Sequence, residues 1–260
     1  MDSGALVAAS FVAGLGVAVV TAPVGVSGAV FLLPVQISVL GVPSPAVTPT
    51  NLLFNVVSIP GALARYRRRA PLTSPLTRLL LAGTLPGVIV GAVVRVFALP
   101  EAATFKLIAA ALLGPLGIWL CLRTAARARG DRPRPSRRFV TATALVVGVV
   151  GGIYGIGGGS LLSPILVGRG IPMGEVAPAA LTSTLLTSVA GAATYAVLGV
   201  TTGGADIAPD WIIGISCGAG GLVGGYLGAH LQPRLPERAL RYALGATAVT
   251  TAALYTLQAL

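Results

Sequence analysis

The stretch that decides the fold is Gly155-Ile156-Gly157-Gly158-Gly159-Ser160, which opens the string GIGGGSLLSPILVGRGIP, Gly155 to Pro172. Its glycines fall inside an apolar run, 139–168, where a membrane helix would otherwise continue. Glycine permits dihedrals that break a helix, and proline, here Pro164, removes a backbone donor. A second string of the same kind comes earlier: GVSGAVFLLPVQISVLGVP, Gly25 to Pro43. Gly25 aligns with Gly155, Gly28 with Gly158 and Pro34 with Pro164. After a one-residue gap Gly41-Val42-Pro43 aligns with Gly170-Ile171-Pro172, and further on Thr50-Asn51-Leu52 with Thr182-Ser183-Thr184. Ordered agreement of glycines, prolines and hydroxyl residues marks an internal duplication. Agreement of Leu and Ala alone would not, since any membrane helix supplies it.

The surroundings of both strings are those of a membrane protein. The 260 residues are 55% hydrophobic and only 10% charged, with a mean hydropathy of +0.89, where a soluble chain carries roughly 25% charged residues. No Asp, Glu, Lys, Arg or His occurs from Ser3 to Ala64, far beyond the ~20 apolar residues that cross a bilayer as a helix. Apolar segments fall near 5–23, 27–40, 46–64, 76–99, 102–122, 139–154, 160–168, 177–200, 208–231 and 239–258. The net charge of +11 sits in short loops between them, which is the positive-inside pattern. The aromatic interleaving of a single-strand binder is missing, so nucleic acid is not expected as a partner. Cys121 and Cys217 lie far apart inside apolar segments and make no metal framework; no metal, cofactor or catalytic group is expected. Asp2 is the only early charge and the apolar run continues past Pro23, which predicts a first membrane segment, not a cleavable signal.

Residues 5–40 in one helix would measure ~54 Å, against ~30 Å of hydrocarbon. A break at Pro23, Gly25 and Gly28 resolves the mismatch, and Gly155–Gly159 does the same for 139–168. The expected fold is all-α and polytopic: two inverted repeats, each opening with a broken re-entrant first helix and continuing with three transmembrane helices. A first helix that crosses twice is the alternative, and it preserves the sidedness. The first repeat covers 1–122, a basic cytoplasmic linker 123–138, and the second repeat 139–260. This arrangement puts Arg65, Arg67, Arg68, Arg69, Arg78, the linker arginines, Arg169, Arg234, Arg238 and Arg241 on one side, and leaves only Arg95 and Lys106 of the 18 basic residues opposite. The crowded side is the cytoplasm, so both termini are expected outside an inner or plasma membrane. Lipid is then the surrounding partner; the sequence sets no oligomeric state.

Charge is nearly absent from the spans, so backbone and hydroxyl groups are the expected means of holding a ligand. The N–H groups that open a helix have no partner within it, and the macrodipole places about half a positive charge there. Gly157, Gly158 and Gly159 let an anion approach the backbone, with Ser160 to cap or donate; Ser27 and Gly28 offer the same device from the first copy. Two such breaks meeting near the midplane would make an anion site from neutral residues. Close helix packing is the alternative use of these glycines. Thr50, Asn51 and Asn55 form one polar stripe and Thr182, Ser183 and Thr187 another, with Thr48 and Ser188 beside them. Their donors suit an oxyanion, and interhelical hydrogen bonding is the alternative.

At these residues the sequence resembles the sulfite exporter TauE/SafE family. The likeness rests on Gly155-x-Gly157-Gly158-Gly159 followed by Pro164, Gly170 and Thr182-Ser183, with the weaker first copy. Pro43 to Arg69, with Thr50-Asn51 and the closing Arg65-Tyr66-Arg67-Arg68-Arg69, has the same cast. Ser27 and Ala29 depart from it, standing where glycines are usual. The resemblance implies a permease for sulfite, sulfonates such as sulfoacetate, or related small anions, and no enzyme. Two other readings compete. Gly25-Val26-Ser27-Gly28 fits the G-x-S-G string of rhomboid-like intramembrane serine proteases, with His230 as base, and a non-transporting membrane scaffold needs no polar residues at all.

Overall fold

The computed structural model describes residues 2–68, 71–99, 107–108, 110–111, 114–115, 117–119, 121–122, 135–202, 207–234 and 236–259. Arg69, Glu101, Lys106, Asp206 and linker residues 123–134 lie outside them. Every regular element among the described residues is helical. α1 (Ser3–Thr21) runs on into a 3-10 turn (Ala22–Val24), followed by α2 (Ala29–Ser38), α3 (Ser44–Tyr66) and α4 (Pro75–Phe97). After the helical residues found between 107 and 122 come α5 (Arg137–Tyr154), α6 (Leu162–Gly168), α7 (Met173–Thr202), α8 (Trp211–Leu231) and α9 (Glu237–Ala259). Side-chain caps fix several starts: Ser74 and Thr77 form a capping box on α4, while Ser136 and Asp210 accept the N–H of Phe139 and Ile213.

Six helices among the described residues are long and apolar enough to cross a membrane. The chain is an all-α, polytopic membrane protein. The two broken segments divide unequally. Ser3–Val24 has 22 residues and α5 has 18, about 33 and 27 Å of helix. α2 and α6 have 10 and 7 residues, about 15 and 10 Å, well short of the ~30 Å hydrocarbon layer. Each broken segment is thus a long leg joined to a short one.

Packing between the long legs and the later helices is made by glycine ladders. A Cβ on Gly83, Gly87 or Gly91 of α4 would lie 2.4, 2.5 or 2.1 Å from the carbonyl oxygens of Thr141, Leu145 and Val149 in α5. A Cβ on Gly220, Gly224 or Gly228 of α8 would lie 2.0, 2.3 or 2.5 Å from those of Phe11, Leu15 and Val19 in α1. Only hydrogen fits at such distances, so the backbones touch, which is how membrane helices gain contact without a hydrophobic force between them. Phe11, Leu15 and Val19 stand 130 residues before Thr141, Leu145 and Val149, the offset that separates Gly25 from Gly155. The long leg of each half therefore packs on the fourth helix of the other, in one register. Both pairs run parallel. α3 and α7 run antiparallel: Leu52 lies against Gly191, while Ala62 and Leu63 share a cluster with Ala177 and Leu181.

Candidate functional site

The two breaks have one construction. α1 and its 3-10 turn end at Gly25 with φ 69°, and α5 ends at Gly155 with φ 67°. Only glycine takes that left-handed conformation without strain. Val26 N–H donates to the Thr21 carbonyl (3.2 Å) and Ile156 N–H to the Gly151 carbonyl (3.1 Å). These are the long bonds of a Schellman termination. Each closes a helix end buried inside the protein.

The loops that follow meet. Ser160 Oγ donates to the Ile156 carbonyl (2.8 Å) and lies 2.7 Å from Ser27 Oγ, which is 3.4 Å from the same carbonyl. Ser163 Oγ donates to the Gly25 carbonyl (2.7 Å). Both serines at the crossing are buried, Ser27 at 3% and Ser160 at 1% exposure. The polar face of α3 lies across the junction. Thr48 Oγ1 donates to the Ile153 carbonyl (3.1 Å), and Asn55 Nδ2 donates to the Gly155 carbonyl (3.3 Å). Asn51 Nδ2 donates to both Ala29 (2.9 Å) and Tyr154 (3.4 Å), so one side chain ties the first break to the second. α7 covers the second break, where Gly158 N–H donates to Thr187 Oγ1 (3.0 Å). Ser183 Oγ lies 3.0 Å from Thr84 Oγ1 of α4.

Ser27, Gly28, Asn51, Asn55, Gly157, Gly158, Gly159, Ser160 and Thr187 thus come together around the crossing. Thr50 does not: its hydroxyl donates to Ala46 and accepts the Asp210 N–H (2.8 Å), pinning the start of α8. Thr182 bonds the Pro178 carbonyl of its own helix. Ser27 also finds no imidazole, since its partners are Ser160 and the Ile156 carbonyl, while His230 lies in the last turn of α8.

Several details differ from what the sequence suggested. The Asn51 and Asn55 amide donors serve backbone carbonyls, which leaves Asn51 Oδ1 and Asn55 Oδ1 as buried acceptors without a partner. Glycine is needed at 158 and 159 because neighbours crowd them: a Cβ there would lie 2.4 Å from Thr84 Cβ and 2.0 Å from the Ala180 carbonyl oxygen. Ser188 Oγ is fully buried and unpartnered, 3.0 Å from where a Cβ on Gly157 would sit; it belongs with the site more clearly than Thr182 does. Arg95 is the larger surprise. The sequence puts it only on the side opposite the arginine clusters; the structure buries it to 3% exposure, with Nη2 donating to the Ser44 carbonyl and Oγ (2.9 Å each) and Nη1 to the Leu99 carbonyl. The signal was present in the spacing. Gly83, Gly87, Gly91 and Arg95 recur every fourth residue, so Arg95 continues the face of α4 that meets α5.

Fold and core together define a multi-pass membrane protein organised around two broken helices that cross in its interior. Residues 10–255 match the sulfite exporter TauE/SafE family, and the chain belongs to it. An Arabidopsis thaliana protein described as sulfite exporter TauE/SafE family protein 2 is 38% identical over 78 residues. That segment is 30% of this chain and 17% of the plant protein's length. No solved structure matches the chain.

Proposed function

We propose that this protein is a secondary transporter for a small sulfur-containing anion, sulfite or an organosulfonate such as sulfoacetate, bound where the two breaks cross. Family membership supports the substrate class. The observation that carries the reading is the Ser27–Ser160 hydroxyl pair, at 2.7 Å, joining the two halves within a buried polar core. A scaffold has no use for unpartnered Asn51 Oδ1, Asn55 Oδ1 and Ser188 Oγ at that point, because each buried unpaired polar atom costs about 1–3 kcal/mol. These open groups are two acceptors and one hydroxyl. They favour an oxyanion that keeps a proton, as hydrogen sulfite does and a sulfonate group does not, so with sulfite the proton can travel with the substrate.

The halves act as inverted copies. Support comes from the antiparallel α3 and α7 and from the reciprocal, same-register packing of α1 on α8 and α5 on α4. Rocking of one half against the other would expose the crossing alternately to each side. In this reading the linker is cytoplasmic, both termini are outside, and the membrane is the inner or plasma membrane. The test is thermal melting of the detergent-purified protein with sulfite, sulfate, sulfoacetate, taurine and acetate, followed by flux in proteoliposomes. A ligand that binds the folded state raises the melting temperature by mass action. Stabilisation by a sulfur anion, with matching flux, is expected; a flat response to all five together with no flux overturns the reading.

A further inference from the structure

α4 and α5 form a groove of about 700 Å³ on the outside of the bundle, apart from the crossing. The glycine ladder explains the space. Gly83 meets the Thr141 carbonyl and Gly87 the Leu145 carbonyl, so backbone makes the contact and no large side chain fills the cleft beside it. Ala82 and Pro86 of α4 and Ala142 and Leu145 of α5 are its walls, and all four are exposed. On a helix that crosses a membrane, such a face lies against lipid.

Arg137 and Arg138, the first two residues of α5, close one end of the groove. Both are exposed, and among the described residues neither guanidinium makes an ion pair or hydrogen bond. Arg169, by contrast, is engaged over the Phe139 ring, 4.3 Å from its centroid. No carboxylate stands among the described residues that line the groove. From Arg138 to Leu145 the helix rises ~10 Å, so the groove is cationic at its mouth and apolar along its length. A smaller groove of about 370 Å³ between α3 and α8 has similar walls, with Pro60, Leu222 and Tyr226, and no charged residue among those described.

An apolar groove alone takes the acyl chain of any lipid. Two cations at its mouth select a lipid whose headgroup carries net negative charge, because a zwitterionic headgroup brings an ammonium of its own. A second copy of the chain fits poorly. A two-fold pair in one membrane places the same patch of each copy at the same depth, which would set arginine against arginine.

We propose that the α4–α5 groove is a binding site for an anionic phospholipid, with the phosphate at Arg137 and Arg138 and an acyl chain along Ala82, Pro86, Ala142 and Leu145. The site does not depend on the transport reading. A lipid held there braces the start of α5, the helix that ends at the second break.

The test is native mass spectrometry of the detergent-purified full chain titrated with phosphatidylglycerol, phosphatidylcholine or inorganic phosphate. Three variants accompany the wild type: Arg137→Gln with Arg138→Gln, Ala142→Trp, and Arg234→Gln with Arg238→Gln. All five positions are exposed, so the substitutions leave the core untouched. Ala142→Trp fills the groove and keeps both arginines, while the Arg234 and Arg238 pair removes the same charge away from the groove. The wild type should prefer phosphatidylglycerol, and loss of Arg137 and Arg138 should weaken its binding roughly 10- to 30-fold. Ala142→Trp should also lose the preference, and the Arg234 and Arg238 variant should keep it. The site is overturned by no preference in the wild type, by one that survives in either groove variant, or by equal loss in the Arg234 and Arg238 variant. Inorganic phosphate bound as tightly as the lipid, or a dimer in place of the lipid adduct, overturns it too.

Discussion

Replacing Ser27 by alanine separates a ligand site from a packing contact. Ser160 gives its proton to the Ile156 carbonyl at 2.8 Å, so the short 2.7 Å contact is Ser27 donating to Ser160. Ser27→Ala removes that bond and the longer 3.4 Å approach to the Ile156 carbonyl, and it strands no carbonyl, because Ile156 keeps Ser160. The net loss of stability should be about 1 kcal/mol, the usual worth of a neutral hydrogen bond. Binding should suffer more. A hydrogen bond to a charged partner is worth about 1.5–3 kcal/mol, which at about 1.4 kcal/mol per decade means roughly 10- to 100-fold weaker anion binding. The assay is calorimetric titration of purified wild type and variant with sulfite, with melting temperatures measured on the same samples. Weaker binding with a small drop in melting temperature is expected. Unchanged affinity in a folded Ser27→Ala protein would refute the assignment of the crossing as the binding site.

Gly155→Ala should fail to give monodisperse protein: φ of 67° and a Cβ 2.2 Å from the Thr48 carbonyl oxygen add a clash to the ~1–2 kcal/mol cost of a left-handed residue. Gly16→Ala, with nothing within 4 Å of the new carbon, should instead stabilise by about 0.5–1 kcal/mol; fluorescence-detected size exclusion with a temperature ramp reads both. Asn51→Leu leaves the Ala29 carbonyl without its 2.9 Å donor and should cost about 1–3 kcal/mol, so an unshifted melting curve would contradict the tie between the breaks. In a background with Cys121 and Cys217 replaced by alanine, Arg129→Cys should react with a membrane-impermeant thiol reagent only from the cytoplasmic side and Asp2→Cys only from the other.

The sequence by itself determined the class, the apolar segments that form α1 to α9 and the places of the two breaks. Each rests on a local cause. A long charge-free apolar run favours lipid over water, and Gly25 and Gly155 end helices because only glycine takes their backbone angle without strain. Matching glycines and prolines also set the two breaks at one offset of 130 residues. The glycine ladders were equally present in the letters, but their partners were not. Leu15 and Val19 match Leu145 and Val149, but any membrane helix supplies such residues, Phe11 and Thr141 differ, and backbone contacts leave little imprint on side-chain identity. Only the tertiary structure showed that each long leg packs on the opposite half. It also decided what each polar group does. Asn51 and Asn55 carry good donors, yet buried carbonyls at broken helix ends claim those donors first, and the oxygens are what remain. Arg95 reads as a flank residue along the chain because it stands near the end of an apolar run. The face it occupies, set by the four-residue spacing from Gly91, turns it inward, where it bonds Ser44 at the start of α3 and Leu99.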